Sequence, residues 1–76
     1  MEVMNMPMVE VFKTNIQNGR QASAMLKKLY ELFPKCRINF DLTDCDKILR
    51  VEGRIASPQK VIEAVTTGGY ECQVLE

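Results

Sequence analysis

The side chains best able to hold an ion or act as a nucleophile are the cysteines, Cys36, Cys45 and Cys72. Thiolates bind soft metals and attack electrophiles, but working sites usually bring two or more of them close together. Three cysteines this far apart argue against a disulfide framework and against a CxxC metal or redox site. Cys36 and Cys72 are expected as small core hydrophobes. Cys45 falls between Asp44 and Asp46 in a polar stretch and is expected at the surface, where it is the weak alternative as a metal ligand. Met1, Met4, Met6 and Met8 have a spacing that suits thioether coordination of Cu(I), although start-proximal methionines in a frayed tail over residues 1–7 explain them more simply. Asp41, Asp44 and Asp46 share the stretch "DLTDCD", but the glycine and distal glutamate of a calcium loop are missing, so a solvated turn is expected. The chain has no histidine, and so lacks both the commonest general base and the commonest metal ligand. Neither catalysis nor a cofactor is expected.

One further stretch, "NIQNGRQ", combines groups suited to an anion. Gly19 permits close backbone approach, and Arg20 carries a forked donor at the start of a helix, where free amide hydrogens already favour negative charge. Asn15, Asn18 and Gln21 add neutral amides. The plainer reading of the same residues is that Asn18 caps the helix and Arg20 is solvated.

Placing these residues requires the elements around them. "MVEVFKT" (residues 8–14) reads as a strand, rich in β-branched and aromatic residues. Ala22, Met25, Leu26, Leu29, Leu32 and Phe33 recur at helical spacing with Lys27, Lys28 and Glu31 opposite, and Pro34 ends that helix. Cys36, Ile38, Phe40 and Leu42 then alternate with polar residues as in a half-buried strand. "TDCDK" is a turn and "KILRVEG" a second strand, giving a hairpin. "SPQKVIEAVTTGG" carries helix start and stop signals, with Ser57 as N-cap, Pro58 at the first position and glycine at the end; Val61, Ile62 and Val65 form its inner stripe. "YECQVL" closes the chain as a strand with Tyr70, Cys72 and Val74 inward. The order β-α-β-β-α-β predicts an α+β, ferredoxin-like sandwich, a four-stranded antiparallel sheet with two helices on one face. One domain over residues 8–76 follows the short tail.

If Val9 and Val11 face the helices, Phe12, Ile48 and Leu75 form an apolar strip on the open face, the candidate interface. Ten basic and ten acidic residues leave no net field for nucleic acid or an anionic membrane, so neither is expected as a partner. The opening residues lack the basic start and apolar run of a secretion signal, and a cytoplasmic protein is expected. The expected partner is another protein or a second copy of the chain.

The chain resembles the heavy-metal-associated domains of copper chaperones and P-type metal ATPases from about Val9 to Leu75. "MLKKLYELFPKCRINFDL" is similar to that family's first helix, turn and second strand, and "SPQKVIEAVTTGGYECQVLE" to its closing helix and strand. The family holds Cu(I) with M-x-C-x-x-C in the loop after the first strand. Aligned on Met25, Leu29, Ile38 and Phe40, this chain has Ile16 at the methionine and Asn18 and Gln21 at the cysteines; a shift of three residues gives Asn15 and Asn18. Neutral amide oxygens are hard, weak ligands for a soft ion. The resemblance thus implies the family's fold with a degenerate metal loop, hence a binding or interaction module. The alternatives are a Cu or Zn protein using other ligands, or a small anion-binding enzyme. For the enzyme, the loop has a slighter similarity to acylphosphatases, with Arg20 and Asn39 as the pair.

Overall fold

The computed structural model describes residues 8–43, 45–54 and 58–75. The elements run β1 (Met8–Thr14), α1 (Gly19–Leu32), β2 (Arg37–Asp41), β3 (Ile48–Gly53), α2 (Pro58–Thr67) and β4 (Cys72–Val74). The sheet order is β2-β3-β1-β4, with every neighbouring pair antiparallel. This is the ferredoxin-like sandwich expected from the element order, with the first and third strands central. The proposed tail over residues 1–7, the Ser57 cap and Asp44 lie outside the described residues.

Local chemistry accounts for the element ends. Pro34 cannot follow a residue in helical conformation without a clash, and Phe33 has left it at φ −129°, ψ 66°. At the end of α2, Gly69 adopts φ +96°, which costs little only without a Cβ. Its N–H donates to Thr66 O and the Tyr70 N–H to Val65 O, the staggered bonds that close a helix on a left-handed residue. Edge strand β2 is covered from the side: the Tyr30 hydroxyl donates to Ile38 O and accepts from Ile38 N, both at 3.1 Å. Two otherwise open main-chain groups of an edge are thereby satisfied.

The core lies between sheet and helices. Ala22, Met25 and Leu29 of α1 and Val61 and Val65 of α2 pack on Phe12, Ile38, Leu49 and Val51 of the sheet, with Cys36 and Ile16 at its ends. Tyr70, Cys72 and Val74 pack against this cluster in the expected parity, as do Phe40 and Leu42. Leu32, assigned to the inner face of α1, is 59% exposed.

The face assignment of β1 is the reverse of the expected one. Phe12 is 0% exposed and pairs with Leu49 and Val74, so it faces the helices and cannot belong to an outer strip. Val9 and Val11 pair with Glu52 and Arg50 on the uncovered face instead. The reason is area. Phe12, Thr14 and Ile16 share one parity, and a phenylalanine with an isoleucine buries more apolar surface than two valines. All three are buried. Ile48 does face the uncovered side, flanked in register by Lys13 and Asp41, but it is itself buried. Leu75 is 38% exposed, its N–H bonded to Val11 O.

Candidate functional site

The junction between β1 and α1 is held by side-chain bonds to main-chain groups, some local and some from distant segments. Asn18 is the N-cap of α1 at φ −146°, ψ 171°, and its Oδ1 accepts the Gln21 N–H at 2.9 Å. Gln21 reaches back so that Oε1 accepts the Gln17 N–H at 2.8 Å, a capping box displaced by one residue. Asn15 Oδ1 accepts the Glu71 N–H at 2.8 Å and ties the loop to the start of β4. Ile16, aligned with the metal-motif methionine, is 0% exposed and plugs the end of the core. Gly19 has open space where a Cβ would be, so nothing within the protein requires a glycine there. Arg20 is exposed in the first turn of α1 and makes no hydrogen bond or ion pair among the described residues.

Thr14, on the same side of β1 as Phe12, is a buried fastener. Its hydroxyl donates to Lys47 O at 2.7 Å and accepts the Ile16 N–H at 3.2 Å. Its own N–H is shared between Asp46 O and Lys47 O. Lys47 holds φ 48°, and its Nζ donates to Leu42 O at 3.1 Å, closing the hairpin turn. An exposed Lys13–Asp46 pair at 3.8 Å adds little at such a solvated position. The hairpin, the β1–α1 loop and the entry to β4 are therefore laced together at one end of the sheet.

The structure keeps the cysteines apart. Cys36 adjoins edge strand β2 and Cys72 lies in the opposite edge strand β4. Burial pushes the Cys36 thiol up, and its Sγ–H donates to Arg54 O at 3.6 Å. Burial pushes Cys72 up to about 12, so both are neutral thiols at neutral pH. Cys45 is exposed in the hairpin turn. Among the described residues no three His, Cys, Asp or Glu side chains gather where they could hold a metal ion. Asn39 pairs with Arg50 on the uncovered face of β2, whereas Arg20 belongs to the helix layer. The sheet lies between the two, and they form no joint anion site.

The uncovered face divides into two halves. Val9, Val11 and Leu75 occupy the β1–β4 side, and Arg37, Asn39, Asp41, Arg50 and Glu52 the β2–β3 side. Of the expected strip, Leu75 keeps its place, Ile48 is present but buried, and Phe12 is replaced by the valines.

In comparisons with known proteins, no family model, no curated protein and no solved structure matches the chain. No helix among the described residues is long and apolar enough to cross a membrane.

Proposed function

We propose that this chain is a non-catalytic binding or interaction module, built on a frame like that of the heavy-metal-associated domains, whose metal loop has become a structural clasp. One observation carries the reading: the side-chain oxygens of Asn15, Asn18 and Gln21 all accept main-chain N–H groups. An amide can ligate a cation only through that oxygen. With each oxygen already engaged and the Arg20 cation in the same loop, the site is poorly suited to a soft metal ion. Work on partners is then left to the exposed faces of sheet and helices. A cytoplasmic setting, where thiols stay reduced, suits three unpaired cysteines.

The test is a Cu(I) titration under reducing conditions against a chromogenic chelator, with a CxxC-containing domain as positive control and Zn(II) alongside. No competition by this chain is the expected result. Tight one-to-one binding would overturn the proposal, and serine replacements at Cys36, Cys45 and Cys72, with removal of residues 1–7, would locate the ligands.

A further inference from the structure

One concavity lies away from the sheet. It is a groove of about 540 Å³ between α1 and α2, on the outer side of the helix layer. Its apolar lining includes Leu32, Phe33 and Ala64, and Leu32 is 59% exposed. Such a side chain at the end of an otherwise well-patterned helix is the opposite of what solvent favours. Around it stand four charges, Lys28 and Glu31 from α1 and Lys60 and Glu63 from α2. All four are exposed, and none makes an ion pair among the described residues.

Their arrangement has a symmetry. Since β1 and β3 are antiparallel, the helices that follow them run antiparallel too. Met25, midway along α1, packs against Gly68 just past the end of α2. Each helix carries the same Lys-x-x-Glu spacing, read in opposite directions along the groove. Lysines therefore occupy one diagonal of the face and glutamates the other. A twofold axis lying in the plane of that face, along or across the groove, sets every lysine against a glutamate of the opposing copy. It also sets Leu32 and Phe33 against the apolar groove. A surface that complements itself is what a twofold dimer requires.

We infer that the helix face is the site where a second copy of this chain docks, with Leu32 and the four charges around the groove in the contact. The inference rests on the interaction-module reading and names its partner. Helices of 14 and 10 residues are only about 21 and 15 Å long, so the face is small. It falls below the roughly 800 Å² per partner of a standard interface, and the dimer is accordingly weak and reversible.

Sedimentation equilibrium of the full chain under reducing conditions, taken up to high protein concentration, reads this directly. The expected result is a monomer–dimer equilibrium weakened by added salt. The double variant Lys28→Glu/Lys60→Glu and the double variant Glu31→Lys/Glu63→Lys should each associate about tenfold more weakly or worse. An equimolar mixture of the two should recover association, because their rims are oppositely charged. All four positions are exposed, and circular dichroism confirms that the variants fold. A monomer at every concentration overturns the inference. So does a dimer that ignores both charge reversals and is lost on Val9→Asp/Leu75→Asp, which would place the contact on the sheet. Either result alongside unchanged refusal of Cu(I) removes the dimer and leaves the module reading standing; Cu(I) binding removes the module reading itself.

Discussion

Replacing Phe12 by alanine tests the reversed face of β1 more directly than any other change. The ring is 0% exposed and lies between Leu49 and Val74 beneath the helices. Removing a core phenylalanine costs about 3–5 kcal/mol, from lost transfer free energy and the cavity left behind. A chain of 76 residues has about 4–11 kcal/mol in total, so Phe12→Ala brings the domain close to unfolding in water. Val11→Ala is the matched control. Val11 is half-buried on the uncovered face opposite Arg50, and losing two half-hidden methyl groups costs about 0.8 kcal/mol. Urea unfolding followed by far-ultraviolet circular dichroism reads both, since the chain has no tryptophan. With a slope of about 1 kcal/mol per molar urea, the midpoints should fall by roughly 3 M or more and by under about 1 M respectively. Phe12→Leu keeps more of the side-chain volume and should fall between the two, which preserves the ranking even if the alanine variant does not fold. A Val11→Ala loss equal to that of Phe12→Ala would refute the assignment, because a one-residue slip exchanges the two faces.

Four further outcomes follow. Gly53→Ala should destabilise by about 1–3 kcal/mol in urea unfolding, whereas Gly19→Ala should be neutral or gain up to about 1 kcal/mol. A Cβ at Gly53, φ +140°, would lie 3.0 Å from Cys36 Sγ and 3.1 Å from Cys36 Cα, while one at Gly19 meets nothing. Asn18→Ala and Asn15→Ala should each cost about 1 kcal/mol in the same assay, the first by uncapping α1 and the second by removing the bond that ties the loop to β4. Thiol alkylation followed by mass spectrometry should label Cys45 first and Cys36 only as the domain opens. Because Cys72 is raised from 9.0 to about 12, the folded state keeps a proton that the unfolded chain releases. Its contribution is therefore intact below about pH 9 and lost progressively toward pH 12, and Cys72→Ala should flatten that part of the stability profile.

The features legible in the sequence are those decided locally. The helical spacing of Ala22, Met25 and Leu29, the alternation of Cys36, Ile38 and Phe40, Pro58 at a helix start and Gly69 at a helix end are each settled within a few residues, and the structure has them so. The Asn18 cap belongs with them. The face of β1 is not decided within the strand, because Val9 and Val11 alternate as well as Phe12 does. The deciding residue is Ile16, two positions past the strand end, which continues the parity of Phe12 into the core. Leu32 follows the helical period but lies at the last turn, beyond the sheet residues that would cover it. Contacts between distant segments left no local trace either. Asn15 meets Glu71 across 56 residues, and Thr14 meets Lys47 across 33.

Those two distant contacts bear on what the loop can do. A metal-carrying loop has to release and capture its ion, so its ligand atoms must be free to move between partners. Here the loop holds two chain crossings at one end of the sheet, Thr14 to the hairpin and Asn15 to β4, and Asn18 with Gln21 caps the start of α1. Each bond satisfies a main-chain group in place of water, and breaking one costs about as much as it contributes. Drawing an amide oxygen toward a cation would weaken the bond it accepts in a domain with little stability to spare. The loop is thus suited to staying closed. Surface that can meet a partner without such a cost lies elsewhere, on the valines and Leu75 of the uncovered sheet and on Leu32 between the helices, where apolar side chains are already exposed.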